Sequence, residues 1–100
     1  MFKGFIGYSI EWSKESIKFL DKLDRPLNKL ITEKVKQLVT EDAKKLDVMP
    51  LKGTRYPLFR LVCNSYRIIF SVENNVLIIR VLSIGHRREI YLQLNRKGLL

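Results

Sequence analysis

The side chains with the most chemical capacity crowd the second half of the chain. Seven arginines follow residue 50 (Arg55, Arg60, Arg67, Arg80, Arg87, Arg88 and Arg96), whereas Arg25 is the only arginine before it. A guanidinium is a planar fork that grips a phosphate through two parallel hydrogen bonds and keeps its charge at any working pH. Residues 51 to 100 hold nine basic and two acidic side chains, net +7, while residues 1 to 50 hold ten basic and eight acidic, net +2. Glu73 and Glu89 are the two local carboxylates, too few to neutralise that arginine set. The pattern therefore points to phosphate recognition, and the overall charge of +9 to a polyanionic partner: nucleic acid, an anionic membrane surface or an acidic protein. The segment Ser83-Ile84-Gly85-His86-Arg87-Arg88-Glu89-Ile90-Tyr91 adds the one histidine and a tyrosine to two of these arginines. So many chemically capable groups within nine positions is an unusual density.

Other chemistries are poorly supplied. Cys63 is the single cysteine and His86 the single histidine, so the chain has no internal disulfide and too few soft ligands for a zinc site; no metal and no cofactor are expected. The longest unbroken apolar run is Val76-Leu77-Ile78-Ile79, far short of a membrane span, and Met1-Phe2-Lys3-Gly4 does not open a signal peptide; a cytoplasmic location and no membrane partner are expected. With 100 residues, 46% hydrophobic and 29% charged, residues 1–100 read as a single globular domain.

The elements that must position the arginines follow from periodicity. Ile6, Tyr8, Ile10 and Trp12 alternate with small or polar residues, predicting a strand over roughly Phe5 to Trp12. Ser13 stands as the N-cap of a short helix carrying Ile17, Leu20 and Leu23; Asp24-Arg25-Pro26 starts a longer one carrying Leu27, Leu30, Ile31, Val35, Leu38 and Val39. The pair reads as an αα-hairpin with a solvated outer face. Asp42 to Arg55, with Pro50 and Gly53, reads as a connection. Leu58 to Cys63, Tyr66 to Glu73 and Val76 to Ser83 then alternate as three strands joined at Asn64-Ser65 and Asn74-Asn75, and Arg88 to Leu94 predicts one or two helical turns.

The predicted fold is α+β in the order β-α-α-β-β-β: an N-terminal strand, the helical hairpin, a three-stranded antiparallel meander and a short C-terminal helix. Phe59, Leu61, Ile68, Phe70, Leu77, Ile79 and Val81, with Ile10 and the anchoring Trp12, are expected to face the hairpin; Cys63 joins them as a small core residue. Alternation then sends Arg60 and Arg67 to the opposite face of neighbouring strands. There they either converge on one anion or stand as independent surface arginines.

Four segments in order carry a resemblance over roughly residues 6 to 92: Tyr8-Ser9-Ile10-Glu11-Trp12-Ser13, Leu51-Lys52-Gly53, Tyr66-Arg67-Ile68-Ile69-Phe70 and Ile84-Gly85-His86-Arg87-Arg88-Glu89-Ile90-Tyr91. In these the chain resembles the RelE/ParE toxin superfamily, and within it the RelE-type mRNA interferases of toxin–antitoxin systems. The resemblance implies a ribonuclease that cuts messenger RNA in the ribosomal A site and is held inactive by a RelB-like antitoxin, whose contacting segment the positive charge predicts to be acidic. It implies Arg60, Arg67 and Arg87 as the catalytic cationic cradle and Tyr91 as acid/base or base-stacking residue. His86 would substitute or assist, with Lys52, Arg55 and Arg88 as auxiliary RNA-binding residues. The chain departs from the family at Leu58, where some members carry a basic residue, at Asn64-Ser65, where a glycine is frequent, and at Phe70, where a tyrosine is frequent. Two other readings share the fold: a ParE-like toxin that inhibits DNA gyrase by contact without cleavage, and a non-catalytic RNA-binding relative.

Overall fold

A computed structural model of the chain describes residues 2–100. The first strand, β1, spans Ser9–Trp12, four residues shorter at its start than alternation predicts. Gly7 explains the difference: at φ +88 it turns the backbone, and the Tyr8 amide closes that turn on the Phe5 carbonyl at 3.1 Å. Helix α1 (Lys14–Lys22) starts where Ser13 Oγ accepts from the Ser16 amide at 3.1 Å, and α2 (Arg25–Gln37) starts where Asp24 Oδ1 accepts from the Leu27 amide at 3.3 Å. Leu20, Ile31, Val35 and Leu38 form the buried stripe of this hairpin.

The segment expected to be a plain connection contains a 3₁₀ turn, Glu41–Lys45, and a short strand, β2 (Val48–Pro50), added antiparallel to the edge of β3 (Phe59–Cys63). Three residues ending in proline carry no visible alternation, and an edge is where a proline in a sheet is tolerated. β4 (Tyr66–Glu73) matches its expected bounds. The last strand, β5, runs Ile78–His86 instead of Val76 to Ser83. The hairpin turn takes four residues, 74–77, with Leu77 at φ 54, so Leu77 is exposed in the turn and does not face the helices as expected.

The five strands lie in the order β1-β5-β4-β3-β2. β3, β4 and β5 form the predicted antiparallel meander, but the sheet as a whole is mixed: β1 pairs parallel to β5, setting Ile10 beside Ile79 and Trp12 beside Val81. β5 is apolar on both faces and needs a partner on each edge, and the crossover through two helices brings β1 back along it in the same direction. Ile69 pairs with Ser83 and Phe70 with Val81, so Leu82 is an extra residue, a β-bulge. The bulge reverses the alternation of β5: Ile79, Val81 and Ile84 all pack on the helical-hairpin side, while Ser83 and Gly85 turn to the other face.

That other face is partly covered by α3 (Ile90–Arg96), whose Ile90 and Leu94 are fully buried against Leu58 and Ile69 in a second apolar cluster. The helix ends in a Schellman motif: Gly98, at φ +72, donates to the Asn95 carbonyl and Leu99 to the Leu94 carbonyl, both at 3.0 Å. Among the described residues no helix is long and apolar enough to cross a membrane.

Candidate nucleic-acid interface

On the α3 face, Arg67 pairs across β4 and β5 with Gly85 and across β4 and β3 with Val62. Its Nη1 donates to the Asn64 carbonyl at 3.1 Å and to the Tyr66 carbonyl at 3.0 Å. The guanidinium is thus held over the β3–β4 turn by one nitrogen, leaving Nε and Nη2 without protein partners among the described residues. An arginine fixed in this way presents a rigid donor edge to an anion at little further cost in side-chain entropy. Arg87 joins the same end of the sheet, because its amide donates to the Ser65 carbonyl at 2.7 Å and its side chain is exposed just beyond β5.

Tyr91 approaches from α3. A Cβ on Gly85 would lie 3.1 Å from Ile90 Cδ1 and from both terminal atoms of Gln93, so the helix rests directly on the strand residue beside Arg67. Tyr91 follows Ile90 on the first turn, 40% exposed and with no hydrogen-bond partner for its hydroxyl among the described residues. Arg60 stands on the same sheet face, two positions along β3 from the residue opposite Arg67, a diagonal separation of about 7–8 Å between the strands. The two guanidinium groups are anchored to different neighbours, however. Arg60 Nη2 lies 3.3 Å from the sulfur of Met49 on β2, and its Nε is buried without any hydrogen-bond partner.

The sequence profile described as ParE toxin of type II toxin-antitoxin system, parDE, matches residues 10–91. The chain belongs to the RelE/ParE toxin superfamily. Its structure is similar to RelE in the archaeal RelE–RelB complex from Pyrococcus horikoshii, with 28% identity, 82% of this chain and 97% of that chain covered, and a TM-score of 0.69. The RelB–RelE antitoxin–toxin complex from Methanococcus jannaschii (24% identity, 81% and 94% covered, TM-score 0.61) and a mutant of the E. coli toxin RelE in the free state (20%, 92% and 98% covered, TM-score 0.64) share the fold. No curated protein sequence matches the chain.

In this RelE/ParE toxin the tertiary structure divides the arginine set. Arg80 is taken out of it: its Nε donates to Glu73 Oε1 at 2.9 Å and its Nη1 to Glu11 across the β1–β5 pair. The hydrogen bond and charge of Arg80 hold the Glu73 carboxyl below its usual range, and Glu73 in turn raises Arg80 further. Arg55, Arg60, Arg67, Arg87, Arg88 and Arg96 have no carboxylate within ion-pair distance among the described residues.

The auxiliary residues are spread more widely. His86 pairs with Tyr66 and meets its ring edge-on at 5.8 Å on the helical-hairpin side, away from Arg67; its Nδ1 accepts from the Arg88 amide at 3.2 Å. The imidazole pins the turn that carries Arg87 and Arg88, and Arg88 is exposed there. Lys52 and Arg55 are exposed in the β2–β3 connection, beyond the start of β3 and so about 17 Å of strand away from the Arg67 end. Leu58, the position that lacks the family's basic residue, is 1% exposed beneath α3 and serves the second core. Cys63 is buried, which pushes its thiol up and leaves it inert.

Sequence reasoning missed Lys97. Its Nζ pairs with Glu15 of α1 and donates to Ser83 Oγ at 3.1 Å and to the Leu82 carbonyl at 3.4 Å. A lysine at a helix C-terminus is an ordinary sequence feature. Nothing in the local sequence announces partners on a strand bulge and on the first helix.

Proposed function

We propose that this toxin is an endoribonuclease of the RelE type that cleaves messenger RNA in the ribosomal A site. The observation that carries the reading is the sheet end where Arg67 and Arg87, free of carboxylates, stand beside the α3 turn bearing an exposed tyrosine. In the proposed reaction the ribose 2′-hydroxyl attacks the adjacent phosphorus, a new P–O bond forms, and the bond to the departing 5′ oxygen breaks. RNA is required because DNA lacks that hydroxyl. Arg67, presenting Nε and Nη2, and Arg87 stabilise the extra negative charge of the phosphorane, an interaction stronger in the transition state than in the substrate. Arg60, on the same sheet face and without a carboxylate partner among the described residues, is the third cation. A proton leaves the 2′-hydroxyl for Tyr91 or water and the departing 5′ oxygen takes one up; Tyr91 carries this transfer or stacks on a base, and Arg88 contacts the backbone of the message.

The relatives crystallised with RelB support a RelB-like antitoxin as partner, its acidic segment covering the +9 toxin's unpaired arginines. A second reading, contact inhibition of DNA gyrase without cleavage, draws support from the ParE description of the matching profile.

Translation in vitro with primer-extension mapping of message ends, run beside a gyrase supercoiling assay, separates the two. The expected result is new message ends that require ribosomes, with Arg67→Ala lowering the cleavage rate by about 10²–10³ and Tyr91→Phe abolishing growth inhibition while both variants stay folded. Inhibition of supercoiling without cleavage, or a fully toxic Arg67→Ala/Tyr91→Phe double variant, refutes the nuclease assignment.

A further inference from the structure

α3 is a weak helix on its own terms. It has seven residues, its N-cap Glu89 makes no side-chain capping bond, and its first turn contains no acidic residue. Two apolar side chains, Ile90 and Leu94, seat it on the sheet, but apolar contact is non-directional and does not fix how the helix is rotated or how far it slides.

Directional contacts hold its two ends, where the Glu89 amide donates to the His86 carbonyl at 2.9 Å and the Arg55 amide to the Leu99 carbonyl at 3.1 Å; along its body they come from one polar chain that runs through three elements. Ser83, fully buried on the bulge of β5, donates from Oγ to Gln93 Oε1 at 3.3 Å and accepts from Lys97 Nζ at 3.1 Å; Lys97 also donates to the Leu82 carbonyl and pairs with Glu15 at the start of α1. Gln93 and Lys97 are four residues apart and so lie on one face of α3 and its C-cap. They grip the strand at the residues the bulge has turned toward them. Tyr91 projects from the same short helix, and Gly85, the strand partner of Arg67, lies directly under it.

We infer that Lys97, clasped by Glu15 and Ser83, is a positioning residue that sets the placement of α3 and thereby of Tyr91 relative to Arg67. The inference rests on the proposed nuclease reading for its catalytic consequence, while the clasp itself is measurable without any activity. None of the three clasp residues touches the proposed RNA site, so loss of the clasp acts on the geometry of Tyr91 and not on RNA affinity. Misplacement of a catalytic group by about 1 Å is worth up to about a hundredfold in rate.

The test uses full-length protein carrying Lys97→Gln, which removes the charge, and Lys97→Arg, which restores it. Ribosome-dependent cleavage is followed at varied ribosome concentration, and amide hydrogen exchange is followed for residues 90–99. Lys97→Gln is expected to lower kcat at least about tenfold with KM within about twofold of the parent, and to speed exchange in α3 while α1, α2 and the sheet keep their protection. Lys97→Arg is expected to recover both readouts. Unchanged α3 exchange in Lys97→Gln overturns the clasp. Faster exchange with an unchanged kcat, or a loss confined to KM, overturns the positioning role. Global loss of protection in Lys97→Gln also overturns it, because the residue would then support the whole fold and not α3 alone. A parent toxin that cleaves no message in any condition sinks the nuclease reading, and α3 exchange still decides the clasp.

Discussion

Alanine at Gly85 is the smallest change that separates α3 from the sheet. Gly85 does not need a glycine for its backbone, since it is not among the residues with positive φ. Its absent side chain is required by space: the new Cβ would lie 3.1 Å from Ile90 Cδ1 and from Gln93 Nε2 and Oε1, against 3.4–4 Å for ordinary contact. The helix must retreat by a few tenths of an ångström, or Gln93 must swing away from Ser83. Overpacking of this kind costs about 1–3 kcal/mol, and the lost freedom of the unfolded chain returns about 0.4–1 kcal/mol, so the net loss is about 1 kcal/mol. For a chain of this size that lowers Tm by roughly 4–8 °C. Ile90→Val removes the Cδ1 that would clash. Alone it costs about 0.5–1.5 kcal/mol; combined with Gly85→Ala it is expected to cost less, because the new methyl occupies the space it vacates. Urea unfolding of the four proteins gives a double-mutant cycle, with cleavage measured on the same samples. A cycle additive within about 0.3 kcal/mol, or a Gly85→Ala protein as stable and as active as its parent, refutes a tight helix seat next to Arg67.

The ion triad on the same face makes a pH-dependent contribution. Arg80 depresses Glu73, so the group stabilises the fold above the ordinary glutamate range near about pH 4.3, and the effect disappears as pH falls through the depressed value. Glu73→Gln is therefore expected to flatten the acid limb of a stability-against-pH curve and to leave it unchanged in shape between neutral and alkaline pH; the group is exposed, so the change is small. Leu58→Ala, which opens a cavity between Ile69 and α3, is expected to cost about 2–5 kcal/mol in urea unfolding, because Leu58 is 1% exposed.

Much of the fold was legible in short-range patterns. Ser13 and Asp24 cap their helices through the amides three residues on, and Tyr66–Glu73 alternates over its whole length. Each of these depends on contacts within one or two turns of chain. β2 was hidden because three edge residues show no period, and the end of β5 because the bulge at Leu82 breaks the alternation on which a strand is read. The site was legible in composition and only partly in geometry. Arginine enrichment pointed to the second half, but it could not distinguish Arg80, neutralised by Glu11 at a sequence separation of 69, from Arg67, which is not.

Residue order alone determined the helix caps, the core stripes, the shared face of Arg60 and Arg67 and the concentration of cations, since all follow from spacings of two to four residues. The approach of β1 beside β5, the turn of His86 away from Arg67 and the clasp of Lys97 by Glu15 were decided by the tertiary structure. They join segments whose meeting is set by sheet register and one extra residue in a strand, and no local spacing encodes either.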